Sequence, residues 1–109
     1  MERLRKRSDF LAAATATKVP TAGFVLQVRS RGENGPVRVG FTVSRKVGTA
    51  VERNRVRRRL KEIVRLLGAT GLAAGNDYVL VGRRAALSLP FERIAGDFKH
   101  ALIRLRATR

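Results

Sequence analysis

Seven of the thirteen residues from Arg53 to Arg65 are lysine or arginine, and the run reads Glu52-Arg53-Asn54-Arg55-Val56-Arg57-Arg58-Arg59-Leu60-Lys61-Glu62 through its densest part. Like charges four residues apart destabilise an isolated helix by roughly 0.2–0.5 kcal/mol per pair, so the run calls for a partner that neutralises it. A merely solvated helix face usually mixes signs, whereas Glu52 and Glu62 are the only acids here. The preference for arginine narrows the partner further. A guanidinium is a planar fork that grips a phosphate through two hydrogen bonds and stacks on a base, while an ammonium acts as a point charge. Asn54 can donate to a phosphate or a ribose hydroxyl, or can cap the local backbone.

A second group of residues suits stacking. Phe10, Phe24, Phe41 and Tyr78 stand near basic residues in a chain that has no tryptophan, and aromatic rings on a sheet or helix can stack unpaired bases. Phe91 and Phe98 recur at helical spacing and are expected in the core.

Bond-breaking chemistry is not legible in the chain. Acid–base cleavage of RNA by a protein typically pairs two titratable groups, and the sole histidine is His100. Metal-dependent nucleases gather carboxylates around the ion, whereas the eight acids are scattered singly along the sequence. Ser44 and Thr42 lack a base partner, and there is no phosphate-cradling Gly-Lys loop. The sequence therefore predicts no catalytic residue and no metal ligand. The absence of cysteine removes disulfides, thiolate zinc sites and a thiol nucleophile, and fits a reducing compartment.

These residues need a scaffold, and periodicity supplies one. Ser8-Asp9 can cap a short helix through about Thr15, preceded by a basic arm, residues 1–7, expected to be mobile. Phe24, Leu26 and Val28 alternate with Gln27, Arg29 and Arg31, and Val37, Val39, Phe41 and Val43 alternate again after the turn cluster Gly32-Glu33-Asn34-Gly35-Pro36. This pair is predicted to be an antiparallel hairpin.

From about Thr49 to Leu67 the period becomes helical. Val56, Leu60, Ile63, Val64 and Leu67 form one stripe, the arginines project opposite, and Gly68 is the expected C-cap. Asp77-Tyr78-Val79-Leu80-Val81-Gly82 reads as a strand covered on both faces, and Pro90 opens a closing helix. The order is α-β-β-α-β-α, with a short extra strand around residues 18–23. The predicted class is α+β, a two-layer α-β sandwich in one domain spanning residues 1–109.

Composition agrees with a small domain that seeks polyanions. The 109 residues, 44% hydrophobic, carry 24 Lys+Arg against 8 Asp+Glu, a formal charge of +16. Residues 37–67 hold ten bases and two acids, so half of the net charge lies in under a third of the chain. The longest apolar run is too short to span a bilayer, and MERLRKRSDF lacks the apolar stretch of a secretory signal. The expected location is cytoplasmic.

The stretch from Arg38 to Glu62 closely resembles the signature of the bacterial ribonuclease P protein component. Its hallmark is an Arg-Asn-Arg helix entered from a Gly-Phe-(Ser/Thr)-Val-Ser-(Arg/Lys)-Lys strand end, matched here by Gly40 to Lys46 and by Arg53 to Arg55. Leu4 to Phe10 is similar to the family's opening, and Asp77 to Arg83 to its late strand.

The resemblance implies a subunit that assembles with a catalytic RNA, the pair removing the 5′ leader of precursor tRNA with magnesium (Mg2+) held mainly by the RNA. It implies a left-handed β-α-β crossover around the Arg-rich helix, against the general right-handed preference. It assigns Arg53, Asn54, Arg55, Arg57, Arg58, Lys61 and Arg65 to the RNA subunit. To the precursor-tRNA leader it assigns Phe10, Phe24, Gln27, Arg45 and Lys46. No protein partner and no membrane are implied. Ala14 and Gln27 stand where the family often has aromatics, which shifts the leader cleft from stacking towards backbone electrostatics. Without the resemblance, the residues also admit a ribosomal or general RNA-binding protein, or a nucleoid DNA-binding protein.

Overall fold

The computed structural model describes residues 1–32 and 35–107, in which five strands and three helices follow one another. They are β1 (Glu2–Arg3), α1 (Arg7–Ala14), β2 (Thr17–Pro20), β3 (Phe24–Ser30), β4 (Arg38–Thr42), α2 (Ala50–Gly71), β5 (Asn76–Gly82) and α3 (Phe91–Ala107). Single 3-10 turns at Arg45–Val47 and Arg84–Leu87 precede α2 and α3. The strands form one mixed sheet in the order β1-β4-β5-β3-β2.

β5 occupies the centre of the sheet because both of its faces are apolar. Tyr78 and Leu80 point into the main core beneath α2 and α3, and Val79 packs on the other side with Leu4 and Ala13. The α+β class and the extra strand agree with the sequence reading, and α1 adds a partial cover on the second face of the sheet.

The predicted hairpin does not form. β3 pairs antiparallel with β5, β4 pairs parallel with β5, and Leu80 lies between Leu26 and Phe41 in the register. Turn residues between β3 and β4 reverse the chain without making the two strands neighbours, and the doubly apolar strand takes the place between them. Glu33 and Asn34 of the expected turn lie outside the described residues. β4, α2 and β5 make the parallel unit to which the resemblance assigned the left-handed crossover.

Three local expectations also shift. The N-cap of α1 is Lys6, whose carbonyl accepts from the amides of Asp9 and Phe10, so Asp9 sits in the first turn with its carboxylate free to turn towards the sheet. Gly68 does not end α2. The helix continues to Gly71, and a Cβ at Gly68 would come within 3.1–3.2 Å of Leu72, Met1 and Val64, so that glycine serves close packing. The N-terminal arm, expected to be mobile, is paired: the amides of Glu2 and Leu4 donate to the carbonyls of Val37 and Val39, and Leu4 is buried.

Candidate nucleic-acid interface

Thr49 and Glu52 start α2 with a reciprocal capping box, each side chain accepting from the other's backbone amide. The Thr49 amide holds the Glu52 carboxyl below its ordinary range, with Arg84 helping against desolvation. Val56, Leu60, Ile63 and Val64 are buried, which turns Asn54, Arg55, Arg58, Lys61 and Arg65 outwards as the period predicts.

The cations of α2 differ in what they already hold. Arg53 donates to the carbonyl of Gly48 at 3.1 Å, Arg57 to Asn54 Oδ1 at 2.8 Å, and Arg65 to both carboxylate oxygens of Glu62. Arg55, Arg58 and Lys61 have neither a hydrogen bond nor an ion pair among the described residues. Arg59 faces inwards instead. It donates to the carbonyls of Ala86 and Leu89 at 2.5 and 2.6 Å, tying α2 to the turn before α3.

Arg45 and Lys46 are exposed on the 3-10 turn that links β4 to α2. Val43 and Val47 anchor that turn in the core, and Arg84 donates to the carbonyl of Val47 at 2.6 Å. Sequence reasoning passed over both Arg59 and Arg84, because a structural arginine and a binding arginine look alike in a basic run.

The second surface is the sheet face that α1 crosses. Strand register places Gly40, Val79, Gln27 and Lys18 in one row on it, with Thr42, Val81, Val25 and Pro20 in the next. Phe10 lies over Gly40, half-buried, and Ala14 follows one turn later. Gln27 faces this side but is only 8% exposed. Phe24 must be removed from the leader group. It is fully buried on the opposite face of β3, its ring 6.3 Å from that of Phe98, because alternation sends it with Leu26 and Val28 into the main core.

An ion-pair network anchors α1 at one end of this face. Asp77, fully buried, accepts from Arg31 at 2.6 Å and from Arg38 at 2.7 and 2.8 Å, with Arg29 at 3.8 Å. Asp9 reaches Arg29 and Arg38 at 3.6 and 3.5 Å. Burial pushes the Asp77 carboxyl up, yet the hydrogen bonds from Arg38 and Arg31 outweigh it and hold the group below the ordinary carboxylate range. Asp77 raises the Arg38 guanidinium in turn.

Asp9, Glu52, Glu62 and Asp77 are thus committed to arginines, and no group of three or more metal-ligating side chains occurs among the described residues. The described residues do not fit a magnesium site. No helix among the described residues is long and apolar enough to cross a membrane.

A long helix whose exposed Arg55, Arg58 and Lys61 lack internal partners, set beside a half-covered sheet face, defines a polyanion-binding α+β domain. Residues 1–106 match the ribonuclease P family. The chain is 46% identical over 101 residues to the ribonuclease P protein component of Gluconacetobacter diazotrophicus, covering 92% of this chain and 87% of that one. Against the corresponding protein of Ruegeria pomeroyi it is 48% identical over 107 residues, covering 95% and 86%. The solved RNase P protein of Staphylococcus aureus superposes with a TM-score of 0.79 at 26% identity, covering 96% of this chain and 95% of that one. The Thermotoga maritima RNase P protein gives 0.78 at 29% identity, covering 95% and 97%. This chain belongs to the ribonuclease P protein family, whose members are subunits of a ribonuclease.

Proposed function

We propose that this chain binds the catalytic RNA of ribonuclease P through α2 and the 5′ leader of precursor tRNA through the cleft between α1 and the sheet. The observation that carries the reading is the set of exposed cations on α2, Arg55, Arg58 and Lys61, left without protein partners. Phosphates of a folded RNA would supply what those side chains lack, with Asn54 and the more engaged Arg53, Arg57 and Arg65 alongside them.

In this reading the RNA carries the chemistry and holds most of the magnesium. The protein lowers phosphate repulsion between catalytic RNA and substrate, so that the metal ions bind at lower concentration. Phe10 packs against an unpaired leader base, Gln27 lines the floor of the cleft, and Arg45 and Lys46 neutralise leader phosphates beside it. The site of action is the cytoplasm.

The deciding experiment compares precursor-tRNA cleavage at low magnesium by catalytic RNA alone, protein alone and the mixture. Cleavage that appears only in the mixture is expected. Cleavage by the protein alone would put the chemistry in this chain, and no gain in the mixture would leave a general RNA-binding role.

A further inference from the structure

Arg3 borders two grooves that share Arg57 and Lys61 of α2. Towards α2 it meets Asn54, Arg57, Arg58 and Lys61 around a groove of about 640 Å3. Across the end of β1 it meets Arg5, Phe10, Gly40, Arg57 and Lys61 around another of about 410 Å3. Arg57 and Lys61 line both, so the basic face of α2 and the Phe10 cleft are continuous through this second groove. Its lining contains four cations and no acid.

The sheet edge explains why a passage exists there. β1 pairs only with Arg38 and Val39, so the edge of β4 is unpaired by β1 from Gly40 onwards, and Gly40, lacking a side chain, lets the Phe10 ring lie against the strand at that point. The arm is also held in place. Backbone bonds from Glu2 and Leu4 flank Arg3, and the buried Leu4 pins the strand, so Arg3 and Arg5 project from ordered backbone and bind with less loss of chain entropy than a free tail. Neither side chain has a hydrogen bond or ion pair among the described residues.

Resting on the leader assignment above, we propose that Arg3 and Arg5 join Arg57 and Lys61 in a phosphate-binding strait that carries the leader's sugar–phosphate backbone from α2 into the Phe10 cleft. Arg57 and Lys61 then serve the leader as well as the RNA subunit. The groove towards α1 sets Glu2 and Asp9 against Arg3, Arg5, Lys6 and Arg38, so its positive balance is weaker than that of the acid-free strait.

The test uses the reconstituted holoenzyme with wild-type protein, the double variant Arg3→Ala/Arg5→Ala and the double variant Arg3→Lys/Arg5→Lys. Affinity for precursor tRNA and for mature tRNA is measured over a series of salt concentrations. The alanine variant is expected to lose precursor affinity several-fold while mature-tRNA and RNA-subunit affinities hold. Its leader-dependent salt slope should fall by about 0.7 for each phosphate contact removed. The lysine variant should retain most of the preference, because the strait asks for charge. Equal losses for precursor and mature tRNA, or no loss for either, would overturn the proposal. A wild-type holoenzyme without any preference for precursor would instead overturn the leader assignment on which it rests.

Discussion

The ring of Phe10 occupies the space that a side chain at Gly40 would need: a Cβ there would stand 2.6 Å from Phe10 Cζ and 2.7 Å from Cε1. The glycine thus seats the aromatic in the cleft. Gly40→Ala should displace the ring and reproduce the loss of precursor preference expected of Phe10→Ala, while overpacking costs about 1–3 kcal/mol of stability. Binding ratios for precursor against mature tRNA, together with thermal melts, check this. An unchanged ratio in Gly40→Ala would mean that the ring's position is irrelevant to the leader.

Arg58 and Arg59 are neighbours in the sequence with opposite tasks. Arg58 is exposed and free of partners, whereas Arg59 serves the carbonyls of Ala86 and Leu89. Arg58→Ala should weaken binding to the RNA subunit and reduce the salt slope by about one phosphate contact, with the melting temperature unchanged. Arg59→Ala should destabilise the fold by about 1–3 kcal/mol, since two acceptors lose a charged donor, and leave the salt slope alone. Salt titrations and melts on both variants separate the roles, and a reversed pattern would refute the assignment.

Phe24→Ala tests the correction to the cleft. The ring is fully buried against Phe98, and its removal should cost about 3–5 kcal/mol. At a temperature where the variant is still folded, precursor and mature tRNA should bind in the wild-type ratio. A selective loss for precursor would return Phe24 to the leader path.

Periodicity made the elements legible, and it located the outward face of α2, because a 3.6-residue stripe leaves little choice about which residues face the core. Pairing was less visible. The hairpin inferred between β3 and β4 failed because strand neighbours are chosen by burial across the whole sheet, and β5, more than thirty residues further on, fits the centre better than either. Phe24 was misplaced although its own alternation with Leu26 and Val28 assigned it to the core. The split between Arg58 and Arg59 was hidden because it depends on carbonyls nearly thirty residues away. Arg3 and Arg5 went unread as site residues, since only the pairing of β1 with β4 brings them beside Arg57 and Lys61.

The Asp77 network makes a prediction about pH. Its carboxyl titrates lower in the folded protein than in the unfolded chain, where the ordinary value is about 3.9. The stabilisation it supplies is therefore fully present above that value and is lost as pH falls through the lower folded one. Asp77→Asn keeps the shape but leaves Arg31 and Arg38 beside a neutral amide. It should destabilise the protein by about 3–5 kcal/mol at neutral pH. The gap to wild type should then narrow in acid, where the wild-type carboxyl takes up its proton. Urea unfolding of both proteins at stepped pH reads the difference directly. A gap that stays constant down to low pH would mean that the charge of Asp77 contributes nothing and that its role is packing. Because Asp9 also pairs with Arg29 and Arg38, loosening this network should reach α1 as well, so Asp77→Asn should lower the precursor preference even where the domain remains folded.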